Sequence, residues 1–183
     1  MSSNTLSLRQ ASLSRFAGLL TTPFIPDDFI GLLNPLWTRE PLHARVESVH
    51  AKTADSATIT LQPGLRWSGH RAGQYLQIGV SIDGVRHTRC YSISSAPEQL
   101  DGRISITVKA VSDGRVSRHL VQALQPGTVV DIAAAQGDFT MPYAMNDKAL
   151  MIAAGSGITP IMSLLRSAAA RKAMPQTTLL YYT

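Results

Sequence analysis

Three short runs in this chain combine residue types and spacings that could do chemistry on a phosphorylated, planar ligand. The first is Arg89-Cys90-Tyr91-Ser92. On an extended strand, residues two apart share a face, so Arg89 and Tyr91 point together. Cys90 points the other way, where it is expected to pack as a small buried hydrophobe. A guanidinium beside an aromatic plane suits a ligand with a phosphate and a flat ring. Ser92 joins the same site only if the strand bends or ends there. The same residues also fit a plainer arrangement, with Tyr91 an interface aromatic and Arg89 on the surface. The second run, Gly114-Arg115-Val116-Ser117, lies where a helix begins. Backbone N–H groups there attract anions, glycine lets a phosphate come close and the Ser117 hydroxyl can add a hydrogen bond; Ser117 serves equally as a simple N-cap. The third, Gly155-Ser156-Gly157-Ile158-Thr159-Pro160, reads as a glycine turn from a buried strand into a helix, where α/β proteins hold pyrophosphates. It departs from the dinucleotide fingerprint, because Pro160 replaces the third glycine and no Asp or Glu follows Asp147.

The elements that must position these runs change character along the chain. Residues 42–52 and 57–62 read as a hairpin with a turn between them. Residues 74–82 and 85–94 flank Asp83-Gly84, a dipeptide that tolerates the positive φ angles of a tight turn. In the next strand, 103–111, Ile104, Ile106 and Val108 alternate with Ser105, Thr107 and Lys109, leaving one wet face. Val116, Leu120, Val121 and Leu124 then recur at helical spacing until Pro126-Gly127, and strand character resumes over 129–134. So many short strands favour closure, which removes their exposed edges. Further on, the apolar run 149–154, the glycine turn, a helix with Thr159 as N-cap and Pro160 at its first position, and a strand over 177–182 form a βαβ unit. Ile161, Leu164, Leu165 and Ala168 share one face of that helix. The predicted fold is an all-β antiparallel six-stranded barrel with one helix, followed by a partial α/β (βαβ) nucleotide-binding domain. The corresponding division is an N-terminal arm over 1–41, a barrel over 42–142 and an incomplete nucleotide domain over 148–183. Within the arm, residues 1–26 lack acidic residues, and Leu6, Leu8, Leu13 and Phe16 suit either an amphipathic segment packed on the body or a targeting segment.

Composition narrows the classes. Seventeen Lys and Arg against twelve Asp and Glu give a net charge of +5, but no run of basic residues concentrates it. That pattern suits small anionic ligands or an acidic protein, and nucleic acid is not an expected partner. With 44% hydrophobic and 16% charged residues the chain has material for a real core. Cys90, the single cysteine, excludes an internal disulfide and a cysteine-ligated cluster within this chain. The five histidines show no paired ligand spacing, so no metal site is expected and they read as surface or packing residues. No stretch approaches the roughly 20 apolar residues of a membrane span, so the protein is expected to be soluble and cytoplasmic. Trp67 reads as loop or core packing, and Tyr181 and Tyr182 as strand residues. Arg166, Arg171 and Lys172 give the C-terminal part a positive field that is largely a solvated helix face.

Taken in order, the three runs resemble the ferredoxin–NADP reductase superfamily, in which Arg-x-Tyr-Ser/Thr lies on a barrel strand, Gly-x-x-Ser/Thr begins the barrel's helix and Gly-x-Gly-x-x-Pro opens the nicotinamide-nucleotide domain. The resemblance runs from residue 42 to the end. Leu33-Asn34-Pro35-Leu36-Trp37 and Gly69-His70-Arg71-Ala72-Gly73-Gln74-Tyr75 look most like bacterial ferredoxin reductases that serve oxygenases and fatty-acid desaturases. The resemblance implies FAD, rather than FMN, as cofactor and NADPH or NADH as electron donor. It implies that Arg89 pairs with flavin phosphates, Tyr91 stacks on the ring system and Ser92 hydrogen-bonds near flavin N5. Gly114, Val116 and Ser117 would bind the pyrophosphate region, with the backbone of Val108, Lys109 and Ala110 along the flavin edge. Gly155, Gly157, Thr159 and Pro160 would receive the nicotinamide nucleotide, Thr159 facing the flavin; Tyr91, Ser92 and Thr159 are thus the residues set against the reacting rings. Gly137-Asp138-Phe139-Thr140 looks like the family's post-barrel segment, and equally like an ordinary loop with one buried Phe.

The function so implied is a flavin-dependent oxidoreductase that takes hydride from NAD(P)H and passes single electrons to a ferredoxin or other [2Fe–2S] protein or domain, in the service of an oxygenase or fatty-acid desaturase. No general acid or base is needed for hydride transfer itself. With one βαβ unit only, the alternative is a non-catalytic flavin- or nucleotide-binding module. The cluster is expected on another polypeptide, or the sequence is a fragment.

Overall fold

The computed structural model describes residue 36 and residues 42–141 and 148–182. The N-terminal arm, including both readings of residues 1–26, lies outside the described residues.

β1 (Leu42–Thr53) and β2 (Ser56–Pro63) form the first antiparallel hairpin, and β2 buries every second residue, as a half-covered strand must. β3 (Tyr75–Ile82) and β4 (Val85–Ser92) pair around Asp83-Gly84, whose φ angles of 51° and 75° are those the tight turn requires. β5 (Ile104–Lys109) pairs with β2. A short α1 (Arg115–Arg118) continues as a wider π turn (His119–Ala123), and β6 (Val129–Ile132) inserts between β1 and β3. The strand order is β4-β3-β6-β1-β2-β5, antiparallel throughout. The ends meet just beyond β4, where Ile93 bridges Ile106 and the Ser94 N–H donates to the Ser105 carbonyl at 2.7 Å. The six strands therefore close, as expected, around a core that includes Ile59, Leu61, Leu76, Ile78 and Ile106. Val116, Leu120 and Leu124 of the helical segment cap that core, and Trp67 packs against it.

Two expectations for this half need correcting. Cys90 is exposed, not buried. β4 sits at the end of the strand order with β3 as its ladder partner, and it meets β5 only past its own end, so its outer face is left uncovered. Phe139 is 59% exposed and does not anchor the post-barrel loop; that loop is held instead by polar contacts, with Gln74 Nε2 donating to the Gly137 carbonyl (3.2 Å) and Arg71 Nη2 to Thr140 Oγ1 (2.5 Å).

Beyond the barrel, β7 (Lys148–Ala154), a 3-10 turn (Gly155–Gly157), α2 (Ile158–Ala170) and β8 (Gln176–Tyr182) make the expected βαβ unit, with β7 and β8 parallel from Lys148 opposite Gln176 to Ala154 opposite Tyr182. The helix starts earlier than predicted. Gly157 is its N-cap and Thr159 its second residue, with Oγ1 donating back to the Ser156 carbonyl at 2.8 Å. Pro160 is third rather than first, and is tolerated because first-turn N–H groups have no intrahelical acceptor. The reason is local: Gly155, at φ 49°, winds the turn tightly enough that helical backbone begins two residues sooner. β7 is not buried on both faces. Met151 and Ala153 pack under α2 with Ile161, whereas Leu150 and Ile152 on the other face are 65% and 62% exposed.

His70, in the loop before β3, supplies a pH-dependent element. Its Nε2 lies 3.3 Å from the Ser95 carbonyl, and burial pushes its imidazole below the usual value near 6.5, opposed by that carbonyl and by Glu98. Between the depressed folded value and 6.5 the unfolded chain binds the proton and the folded chain does not. This contribution is therefore complete above pH 6.5 and is lost as pH falls through the folded value. The unfolding midpoint is expected to fall as pH drops from 6.5 to the folded value, and His70→Gln to flatten that slope; thermal melts across the range read both.

Candidate functional site

The ends of β4 and β5, the start of α1 and the glycine turn border one cleft made of three adjoining cavities. The first, about 340 Å³, is lined by Arg89, Tyr91, Gly114, Val116 and Ser117 among others. The second, about 300 Å³, shares Tyr91 with it and adds Ser92, Val108, Lys109 and Thr159. The third, about 280 Å³, shares Lys109 and Thr159 with the second and reaches Gly155 and Tyr181. Residues from the three sequence runs thus come together, although 66 positions separate Arg89 from Gly155. Ala110, Gly157 and Pro160 are not among the residues lining these cavities; the Ala110 N–H is taken by the Asp55 carbonyl at 2.7 Å.

Each wall has a local cause. β4 ends at Ser92, which is how Ser92 reaches the cleft beside Tyr91 despite the strand's alternation. Tyr91 is half-buried, and desolvation raises its phenol above the usual range while the Arg89 charge opposes the shift. The Arg89 guanidinium is exposed, with Nη1 donating to the Thr88 carbonyl at 2.7 Å. At the start of α1, Ser117 is not an N-cap. Its Oγ donates to the Gly114 carbonyl (3.1 Å) and accepts the Val111 N–H (3.2 Å), fastening the 111–117 loop to itself. Gly114 is required by this closeness, since a Cβ would stand 2.3 Å from both Ser117 Oγ and Val111 Cγ2. Arg115 Nη2 reaches Asp83 Oδ2 (2.5 Å), tying the β3–β4 turn to the same loop.

At the other end, the Tyr181 hydroxyl donates to the Gly155 carbonyl (3.2 Å), so β8 props the turn. Side chains added at Gly155 or Gly157 would meet nothing within 4 Å, so the turn faces open space. Lys109 Nζ lies 3.5 Å from Asp55 Oδ2. The Thr53 hydroxyl, donating to Asp55 at 2.7 Å, holds that carboxyl below its usual range, with Lys109 adding in the same direction against desolvation. The part played by Thr107 and the β1–β2 turn was not foreseen from sequence, because ordinary polar residues carry no motif and enter the cleft only through barrel closure.

A family model described as an oxidoreductase FAD-binding domain matches residues 44–141. The chain belongs to the oxidoreductase FAD-binding domain family. It is 42% identical over 159 residues to the NADPH oxidoreductase of Mycobacterium tuberculosis (strain ATCC 25618 / H37Rv), covering 85% of this chain and 42% of that protein. Among solved structures, the flavohem-like FAD/NAD-binding domain of nitric oxide dioxygenase from Vibrio cholerae O1 biovar El Tor matches with a TM-score of 0.68 at 27% identity, covering 78% of this chain and 62% of that one. Phthalate dioxygenase reductase, described as a modular structure for electron transfer from pyridine nucleotides to [2Fe–2S], matches with a TM-score of 0.65 at 25% identity, covering 76% and 43%. This FAD-binding domain thus falls in the ferredoxin–NADP reductase superfamily, in line with the sequence resemblance. The chain spans well under half the length of the curated relatives it matches, 42% of the Mycobacterium tuberculosis protein.

The cleft's own chemistry fits an FAD. An exposed guanidinium at Arg89 and an ammonium at Lys109 can give phosphates counter-charge, and a half-buried aromatic, Tyr91, lines both the first and the second cavity.

Proposed function

We propose that this chain is the flavin-holding and nucleotide-receiving part of an NAD(P)H-dependent flavoprotein reductase. The observation that carries the reading is that Tyr91 and Ser92, from the barrel, line the same cavity as Thr159, from the nucleotide-type helix. When bound, FAD accepts a hydride from NADPH or NADH and passes electrons on singly to an iron–sulfur acceptor. Arg89 holds phosphate, with backbone N–H groups of the first turn of α1, residues 115–117, beside it. Tyr91 provides the stacking plane and Ser92 a hydroxyl at its edge, while the backbone of Val108 and Lys109 borders the ring. Thr159 borders the same cavity, its hydroxyl committed to the Ser156 carbonyl. The open glycine turn, with Lys109 across from it, receives the dinucleotide phosphates. The domain layout goes with this reading: a flavin barrel over 42–142, the start of a nucleotide domain over 148–183 and an arm over 1–41. The electron acceptor is a ferredoxin or [2Fe–2S] protein or domain serving an oxygenase or a fatty-acid desaturase.

The test is titration of the purified chain with FAD, followed by anaerobic mixing with NADPH and with NADH. Saturable binding and bleaching of the yellow colour support the reading. Binding without bleaching leaves a flavin module and removes the enzyme; no binding removes both.

A further inference from the structure

Helix α2 meets the barrel through polar contacts that the flavin reading does not use. Ser163 is fully buried, and its Oγ donates to the Ser95 carbonyl at 2.6 Å. Arg166 Nη1 donates to the Ser94 carbonyl at 2.5 Å. One turn on, Ser167 Oγ donates to Glu98 Oε1 at 2.7 Å, and Arg171 Nε lies 3.5 Å from the same oxygen. The accepting stretch, residues 93–96, is buried and follows directly on Tyr91 and Ser92. On α2, Thr159, Ser163 and Arg166 recur at i, i+4 and i+7, one stripe facing the barrel, while Ile161 packs on β7. Arg166 is exposed, as expected of a solvated helix face, but its guanidinium turns to the barrel backbone.

A buried serine is costly unless hydrogen-bonded, so its position is specified by its acceptor. Sliding α2 by one turn, about 5.4 Å, would separate Ser163 from the Ser95 carbonyl, which keeps only His70, and Arg166 from the Ser94 carbonyl. The seam thus sets where the N-terminal end of α2 stands relative to the end of β4. We propose that Ser163 and Arg166 are positioning residues, which fix the distance and angle at which a dinucleotide on the glycine turn approaches the flavin side of the cleft at Tyr91 and Ser92. This rests on the flavin–nicotinamide reading above.

The test uses the FAD-loaded chain with Ser163→Ala, Arg166→Met and, as the variant that keeps a donor, Arg166→Lys. In Arg166→Met and Ser163→Ala the limiting rate of anaerobic reduction by NADPH is expected to fall about ten-fold or more, since small misplacements of reacting groups are that costly, with half-saturation and FAD affinity held within about two- to three-fold. Amide hydrogen exchange should rise in 155–162 and stay unchanged in β1–β3, and Arg166→Lys should recover most of the rate. A rate loss explained by lower FAD affinity, a uniform rise in exchange, or variants indistinguishable from the parent overturns the proposal alone. A parent chain that binds FAD but is reduced by neither nucleotide overturns the functional reading and the proposal with it.

Discussion

Arg89→Ala is expected to weaken FAD binding by roughly ten- to a hundred-fold, because a charge-assisted hydrogen bond to phosphate is worth about 1.5–3 kcal/mol and each 1.4 kcal/mol is a factor of ten. The guanidinium is exposed, which places the effect towards the lower end and makes it salt-dependent. The protein itself loses little, since Arg89 makes a hydrogen bond to its neighbour's carbonyl at the surface. Affinity and stability should therefore separate. A fluorescence titration with FAD at two ionic strengths, beside a thermal melt, reads both, and unchanged affinity would refute the phosphate contact. Arg89→Lys keeps the charge but loses the planar fork, and should fall between the two.

Gly73→Ala should cost about 3 kcal/mol of stability, adding the strain of a positive φ to forced overpacking. At Gly73 φ is 91°, and a Cβ would lie 1.9 Å from the Phe139 carbonyl oxygen and 3.3 Å from Leu164 Cδ2. The obstacle is backbone of the post-barrel loop on one side and α2 on the other, so neither can yield cheaply. For a chain of this size that loss is a drop in Tm on the order of 10 °C. Gly69→Ala is the control: φ is also positive, at 84°, but nothing lies within 4 Å, so only the conformational cost remains, about 1 kcal/mol. Equal melting temperatures for the two variants would show that the close approach at Gly73 carries no energy.

Much of the architecture was legible because it rests on short-range rules. Alternation of Ile104, Ile106 and Val108 marked β5, Asp83-Gly84 marked a hairpin, and the spacing of Val116, Leu120 and Leu124 marked the helical segment. The closed barrel followed from the number of edges to be hidden. The boundaries that slipped did so for non-local reasons. β4 stops at Ser92 because residues 93–95 turn to close the barrel against Ile106 and Ser105. Cys90 was misplaced because alternation tells which residues share a face, not whether anything covers it.

By itself, the sequence determined the three chemical runs, the strand and helix that carry each, and the class of ligand their residue types suit, because side-chain chemistry and backbone periodicity are local properties. Tertiary structure alone decided that Arg89, Gly114 and Thr159 border one cleft, that Ser117 ties a loop instead of capping a helix, and that Arg166 and Ser163 dock α2 onto the end of β4. Those outcomes depend on which backbone groups packing brings within hydrogen-bond reach of a hydroxyl or guanidinium, and residues 68 positions apart, such as Ser95 and Ser163, meet only once the barrel has closed and the helix has settled on it.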